Sequence, residues 1–288
     1  MVVANRRKLL PVETITLIYG VVTAIYIIAG FNKVKENMGW ELLCYRLAIF
    51  SAIGLLILLD HVTQSNLSYL FRNIFPMALV PYWYPETYYF NEFIFQNLDP
   101  VIISVDQFLF GCQPSTIFSD LVPYAWLNEL MNFAYFSFFF TIVGTIFYIY
   151  LQDKQLAQKS IFIILCSFFM YYICFIILPV EGPQFYVFNH DEAIPVLGPM
   201  RKFLLVLHQM GEKPTGAVPS SHIGIMLTYM TLLWQYGRKM FWWILPLSVL
   251  LAVSTVYIRA HYLIDVIFGC LLMPVFYRIS LVCWRKLT

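Results

Sequence analysis

Charged residues are scarce in this chain. Only 18 Lys and Arg and 16 Asp and Glu occur among 288 residues, so 12% are charged, whereas 60% are hydrophobic and 18% aromatic. Ordinary soluble domains carry about 25% charged residues, because polar groups must cover their surface. This composition excludes a soluble enzyme and a disordered chain. It indicates that lipid is the main solvent of the protein.

An excess of basic charge is also missing. The formal net charge is only +2, and no run of five or more Lys or Arg residues occurs. Nucleic-acid binding needs a surface that neutralises many phosphates. We therefore expect no nucleic-acid partner.

Cysteine pairs with metal-ligand spacing are absent as well. No C-x-x-C pair occurs, and most cysteines lie in apolar runs, which favours small buried side chains over a disulfide or zinc framework. No three His or carboxylate ligands cluster in the sequence, and P-loop and kinase signatures are missing. The sequence therefore predicts neither a metal nor a cofactor. The cysteines are Cys44, Cys112, Cys166, Cys174, Cys270 and Cys283.

Long apolar runs are abundant. A helix needs about 20 apolar residues to cross a bilayer, and seven segments meet this length: 14–32, 41–60, 125–150, 160–179, 218–236, 240–258 and 261–282. An eighth segment, 67–83, contains Arg72, Pro76 and Pro81, so a bent, re-entrant or interfacial piece is its alternative. The predicted fold class is all-α, a polytopic transmembrane helical bundle with about eight membrane segments.

The distribution of Lys and Arg predicts the orientation. With the N terminus in the cytoplasm, 11 of the 18 basic residues lie inside. The first apolar run follows Arg6, Arg7 and Lys8 as in a signal peptide, but no small-residue cleavage site follows it, so it is interpreted as a membrane helix. We expect both termini in the cytoplasm. Short cytoplasmic loops favour a bacterial inner membrane, with an endoplasmic reticulum or Golgi membrane as the alternative.

Two polar motifs stand out in the last third of the chain. Pro219-Ser220-Ser221-His222 lies at the start of an apolar helix, with Ser220 as the expected N-cap. A helix N terminus offers unpaired N–H groups and partial positive charge to an anion, so Ser220 and Ser221 are candidate phosphate-binding residues. Taken alone, a histidine at a helix start such as His222 is more often a surface or capping residue than a catalyst.

The second motif is His261-x-x-x-Asp265. At this spacing both side chains are expected on one helical face. Asp265 could accept the Nδ1 proton of His261 and leave Nε2 free for nucleophilic attack, although a structural pair is the alternative. Arg259 and Lys213 lie in the same external turn regions, where they could neutralise a phosphoryl group.

In these motifs the chain resembles the type 2 phosphatidic acid phosphatase superfamily of membrane lipid phosphatases and phosphotransferases. That family has the motifs K-x6-R-P, P-S-G-H and S-R-x5-H-x3-D, and the second and third match here over about the last 130 residues. The resemblance implies a six-helix phosphatase-like core. It divides the chain into N-terminal transmembrane helices, 1–66, and a catalytic domain, 67–288, with its motifs in 179–265.

The resemblance also implies a mechanism. His261 would be the nucleophile that forms a phosphohistidine, Asp265 would orient it, and His222 would protonate the leaving oxygen and then activate water or an alcohol. The expected protein is a metal-independent lipid phosphate phosphatase that acts on a phosphomonoester or pyrophosphate at the extracytoplasmic face. Its partners would be a phosphorylated lipid and membrane lipids. The alternatives are a headgroup phosphotransferase similar to inositol phosphorylceramide synthases, and a non-catalytic lipid-binding or transport protein.

The chain departs from the family motifs at several positions. No K-x6-R-P occurs, Thr255 stands where the third motif has Arg, and Ser221 replaces the glycine of the second motif. Gln184 stands where an Arg would help to bind phosphate, so Lys213, Arg201 and Lys202 are candidates to bind it instead. Glu181 is a candidate partner for a substrate hydroxyl or for Arg259.

Overall fold

A computed structural model describes residues 8–188 and 198–288, without the side chains of His208 and Met210. Arg6 and Arg7, which contribute to the predicted orientation, lie outside the described residues. The described ranges contain helices and turns and no strand. The α-helices are α1 Pro11–Ala29, α2 Gly39–Thr63, α3 Asn66–Ala78, α4 Val80–Glu86, α5 Asp99–Phe110, α6 Pro114–Leu121, α7 Ala125–Gln152, α8 Lys154–Ile177, α9 Pro183–Tyr186, α10 Pro199–Gly211, α11 Ser221–Tyr236, α12 Arg238–Tyr257 and α13 Leu263–Leu287.

Six of these helices are long and apolar enough to cross a membrane: α1, α2, α7, α8, α12 and α13. The helices α5 and α6 form a bent pair, with 64° between them, that would be a seventh span if it crosses as one unit. The chain is therefore a membrane protein, and the prediction of an all-α polytopic bundle is confirmed.

The predicted span 218–236 is shorter than expected. Helix α11 has 16 residues, because Ser220 caps it and the helix begins at Ser221. At 1.5 Å per residue it is about 24 Å long, which is less than the hydrocarbon thickness of about 30 Å. It packs against α7, α8, α12 and α13. Its polar N terminus therefore borders protein rather than lipid.

The predicted segment 67–83 is divided into two short helices. It consists of α3 and α4, which meet at Leu79, with Pro76 in the last turn of α3 and Pro81 in the first turn of α4. Pro lacks the N–H that would continue the ladder of hydrogen bonds, and its ring crowds the preceding turn. Each piece is therefore too short to cross the bilayer alone.

Three buried ion pairs, made by two arginines, show how this segment runs. In the middle of α3, Arg72 donates to Glu13 at 2.7 Å and to Asp60 at 2.9 Å, at the first turn of α1 and the end of α2. At the end of α4, Glu86 accepts from Arg46 at 2.7 Å, near the start of α2. The segment that contains α3 and α4 therefore follows the α1–α2 pair from one of its ends toward the other.

Helix α8 is the centre of the bundle and contacts α1, α3, α4, α7, α11 and α13. On one side Phe169 stacks on Tyr19 of α1, with ring centroids 4.3 Å apart. On another side Gly224 of α11 faces Tyr171, whose hydroxyl would collide with a Cβ at that position. This close approach fixes the depth of α11 in the bundle.

Consecutive long helices run in opposite directions, so their ends meet at two faces. At one face the N–H of Ser220, before α11, donates to the carbonyl of Asp265 in the first turn of α13. At the other face Lys159 of α8 donates to Tyr236 at the end of α11. The beginnings of α11 and α13 therefore share one face, and both ends of the described chain lie at the opposite one.

Candidate active site

A pocket lies where the beginnings of α11 and α13 meet the segment after α8. Its lining includes Ser221, His222 and His261. The structure thus brings together two histidines that are 39 positions apart in the sequence. The other polar side chains that line it are Tyr84, Tyr135, Glu181, Gln184, Glu212 and Thr215.

His261 is held in one tautomer by a backbone carbonyl. Its Nδ1 lies 2.9 Å from the carbonyl oxygen of Ala217, and a carbonyl oxygen only accepts hydrogen bonds. Nδ1 therefore carries the proton, and Nε2 has a lone pair. Burial lowers the pKa of His261 to about 4, so the ring is neutral at pH 7. A neutral imidazole with a free Nε2 lone pair is a nucleophile.

His222 lies directly against this lone pair. Its Nδ1 is 3.3 Å from Nε2 of His261, and because Nε2 has no proton, His222 is the donor. The His222 ring packs between Tyr135 and Phe138 of α7, with centroid distances of 4.7 and 4.6 Å. Two aromatic neighbours from α7 therefore orient the second histidine.

Asp265 is close to His261, but for a different reason from the predicted one. Helix α13 begins at Leu263, so His261 precedes the helix and the two residues do not share a helical face. Asp265 Oδ2 accepts the N–H of Tyr262 at 2.8 Å and lies 3.5 Å from Nδ1 of His261. Its Oδ1 is buried and has no hydrogen-bond partner among the described residues. Asp265 thus places a carboxyl group beside the imidazole, while the carbonyl of Ala217 accepts the Nδ1 proton.

The two serines of the second motif have different positions. Ser220 is the N-cap, as predicted, and its Oγ accepts the N–H of Ile223 at 3.4 Å. It is fully buried and does not line the pocket, whereas Ser221 does. Only Ser221 is placed to contact a ligand directly.

The predicted cations are not in the pocket lining. Arg259 donates to Asp120 at 2.7 Å and to the carbonyl of Thr116 at 3.0 Å, and it stacks on Phe188. The segment that carries α6 folds back over the loop before α13 and supplies Asp120 and Thr116. The sequence spacing did not predict the contact of Arg259 with Asp120.

Lys213 is directed away from the two histidines. Its ammonium lies 3.6 Å from the carboxylate of Glu36 and 5.3 Å from the ring centres of Tyr88 and Tyr89. Arg201 and Lys202 of α10 do not line the pocket either, since Arg201 is buried elsewhere and Lys202 is exposed. Phosphate binding by any of these cations stays a prediction.

Acidic and amide groups line the pocket instead. Gln184 donates to Glu212 at 3.1 Å, and burial raises the pKa of Glu181. Within the described residues the lining contains no Lys or Arg. Glu181 and Gln184 were already singled out in the sequence, but Glu212 and Tyr135 were not, because neither belongs to a motif.

No group of three His, Cys, Asp or Glu side chains within residues 8–188 and 198–288 has a geometry that could hold a metal ion. Independence of the reaction from a metal or a cofactor stays a prediction, which activity in the presence of a chelator would test.

Comparison with known proteins identifies the family. The family model described as PAP2 superfamily matches residues 101–279, which is more than half of the chain and includes both histidine motifs. No curated protein and no solved structure matches. The proposed boundary between 1–66 and 67–288 stays a prediction. The resemblance to the type 2 phosphatidic acid phosphatases is confirmed: the chain is a membrane protein of the PAP2 superfamily, with the phosphatase-like lipid phosphate function of that family.

Proposed function

We propose that this protein is a lipid phosphate phosphatase that hydrolyses a phosphomonoester or pyrophosphate of a lipid through a phosphohistidine on His261. The observation that carries the proposal is the tautomer of His261, because the Ala217 carbonyl holds its Nδ1 proton and leaves Nε2 as a nucleophile. The family supports a phosphorylated lipid as substrate.

In the first step, Nε2 of His261 forms a bond to phosphorus, and the bond from phosphorus to the lipid oxygen breaks. The leaving oxygen takes a proton from His222. In the second step, water gives a proton to His222 and attacks phosphorus, so that phosphate leaves and His261 is regenerated. Asp265, which lies 3.5 Å from Nδ1, stabilises the positive charge that develops on the imidazole ring. No step of this scheme requires a metal.

In this mechanism the contact between the two histidines must open before phosphorus can reach His261. His222 Nδ1 lies 3.3 Å from Nε2 of His261, which is where the phosphorus atom must bind. We infer that the His222 ring turns aside when the lipid phosphate enters. The phosphate would then be held by Ser221 and by N–H groups at the beginning of α11. Arg259 and Lys213 would assist only if their present ion pairs opened.

We also propose that the pocket faces the extracytoplasmic side of a bacterial inner membrane. Both ends of the described chain lie at the face opposite the pocket. The helix ends at that face carry a surplus of Lys and Arg, as is typical of cytoplasmic loops: Lys154, Lys159, Arg238, Lys239, Arg278, Arg285 and Lys286.

A second function is favoured by the acidic lining. Glu181, Glu212 and Gln184 offer oxygen atoms that accept hydrogen bonds from hydroxyl groups. An alcohol in place of water would make the protein a lipid headgroup phosphotransferase. In that case the same phosphohistidine would pass its phosphoryl group to the hydroxyl of the acceptor.

Phosphate release by the purified protein tests the proposal. The substrates are phosphatidic acid, diacylglycerol pyrophosphate and an isoprenoid pyrophosphate in mixed micelles, with a chelator present. We expect release from at least one of them, with no loss of activity on chelation. Absence of release, together with headgroup transfer between added lipids, would establish the second function. Failure of both reactions would favour a non-catalytic lipid-binding protein.

The lowered pKa of His261 predicts the acid side of the pH profile. Only the neutral ring attacks phosphorus, so kcat/KM should be lost as the pH falls through about 4 and not near 6.5, where an exposed histidine titrates. The measurement is kcat/KM between pH 3.5 and 8, with the ionisation of the lipid phosphate recorded separately by ³¹P NMR. An acid limb near 6.5 that does not follow the lipid phosphate would contradict a buried neutral nucleophile.

A further inference from the structure

Helix α5 carries two buried carboxylates that the proposed mechanism does not use. Asp99 and Asp106 are both fully buried, although the helix is otherwise half exposed. They are seven positions apart, which is about two helical turns, so they lie on the same face. Each of them accepts hydrogen bonds from backbone segments next to His261.

Asp99 joins two of these segments. Its Oδ2 accepts the N–H of Glu181 at 2.7 Å, and its Oδ1 accepts the N–H of Gly182 at 3.0 Å. Oδ1 also accepts the hydroxyl of Tyr262, the residue after His261, at 2.7 Å. One carboxylate thus holds the segment after α8 against the loop that contains the nucleophile.

Asp106 holds the beginning of α13. Its two oxygens accept the N–H groups of Ile264 at 2.9 Å and Leu263 at 3.1 Å. The first N–H groups of a helix have no partner within the helix, and a negative charge there is stabilising. Asp106 therefore caps α13 from another helix, two residues after His261.

A short chain of hydrogen bonds connects Asp99 to the tautomer of His261. The residue before Glu181, Val180, accepts the N–H of Ala217 at 3.1 Å. The carbonyl of Ala217 then accepts Nδ1 of His261. Asp99 therefore fixes the segment that contains Val180. The carbonyl of Val180 positions Ala217, and the carbonyl of Ala217 positions His261.

Close packing leaves this arrangement little freedom. Gly182 has a φ of +95°, and a Cβ there would lie 3.1 Å from the carbonyl oxygen of Ala260. Leu98 and Ile102 pack on the buried cluster that contains Val180 and Tyr262. Movement of α5 would therefore shift both segments that define the position of His261.

We propose that Asp99 and Asp106 are positioning residues, which hold His261 in its reactive position through the backbone on both sides of it. This inference rests on the proposed role of His261 as nucleophile. It assigns to α5 the function of a brace: its two carboxylates connect the segment after α8, the loop before α13 and the first turn of α13.

The test uses the full-length variants Asp99→Asn, Asp106→Asn and Tyr262→Phe. Ser104→Ala is the matched control, because Ser104 is exposed on the same helix and bonds only within it. On the lipid with the highest turnover, we expect kcat to fall about 100-fold in each Asn variant and about tenfold in Tyr262→Phe, with KM within about threefold of wild type. The acid limb of the pH profile should move from about 4 toward 6.5, because water gains access to a displaced His261.

The pH profile separates positioning from a plain loss of folded protein, since a smaller active fraction leaves the profile where it is. Hydrogen exchange of the peptide 259–266 gives a second readout that needs no turnover. It should accelerate in both Asn variants and stay unchanged in Ser104→Ala. If the Asn variants do not fold, the kcat and the pH profile of Tyr262→Phe test the proposal, and an unchanged kcat with an unchanged profile would overturn it.

Unchanged kcat, pH profile and exchange in the folded variants would overturn the proposal. Accelerated exchange in the Asn variants, in a protein that shows no His261-dependent turnover, would instead support the brace and refute the proposed function. The two failures are thus distinguishable.

Discussion

Replacing His261 by alanine is expected to reduce phosphate release at least about a thousandfold, because loss of a nucleophile removes the covalent route altogether. The side chain is 4% exposed, and its one strong hydrogen bond is to the Ala217 carbonyl. Loss of that bond should cost about 1 to 3 kcal/mol of folding free energy, so the protein should still fold. The measurement is initial-rate phosphate release alongside the thermal unfolding midpoint.

Trapping of the intermediate strengthens this test. After incubation with a ³²P-labelled lipid and rapid quenching at alkaline pH, wild-type protein should carry acid-labile label that His261→Ala lacks. His61→Ala is the matched control, because His61 is an imidazole near the end of α2, at the other face of the bundle. Turnover by His261→Ala within tenfold of wild type, or label that persists in it, would show that His261 is not the nucleophile.

Replacing Arg72 by methionine is expected to have the largest effect on stability. The guanidinium is completely buried and binds both Glu13 and Asp60. Methionine has a similar length but leaves two buried carboxylates without their cation. Removal of one partner from a buried ion pair costs about 3 to 5 kcal/mol. We expect this loss in the free energy of unfolding measured in detergent with a chemical denaturant.

The matched control for Arg72→Met is Arg278→Met, because Arg278 is an exposed Arg on a membrane helix. Part of the stability should return when Glu13→Gln and Asp60→Asn are added to Arg72→Met, since the uncompensated charges are then gone. An unfolding free energy equal to that of Arg278→Met would show that the buried network contributes nothing. The prediction concerns stability only, since these residues lie far from the pocket.

The helical bundle could be predicted because hydropathy is a local property. Each apolar run is long enough to identify its own helix, whatever it packs against. The two short pieces, α3 and α4, were predicted as one segment that either spans the membrane or is bent, re-entrant or interfacial, because prolines mark an interruption of a helix but not its geometry. The length of α11 could not be predicted, because neighbouring helices and not lipid surround its beginning.

The candidate site was predictable only in part. The motifs identified His222 and His261, and the fold brings their rings to 3.3 Å. The predicted phosphate-binding cations were not brought to them: Arg259 has Asp120 as its partner and Lys213 has Glu36. In each case the partner comes from a distant segment, and a charge pattern along one segment says nothing about which distant segment meets it.

The sequence by itself determined that this protein is a helical membrane protein, and it identified His222 and His261 as candidates for its chemistry, because both features lie in short contiguous stretches. Only the tertiary structure decided which groups hold His261 in its position and in its tautomer. The Nδ1 proton of His261 goes to the carbonyl of Ala217, 44 positions earlier, and Asp99 reaches Tyr262 across 163 positions. Such pairings depend on how helices pack in three dimensions, and every residue has a carbonyl that could have been the acceptor. No spacing in the sequence distinguishes the carbonyl of Ala217 from the others.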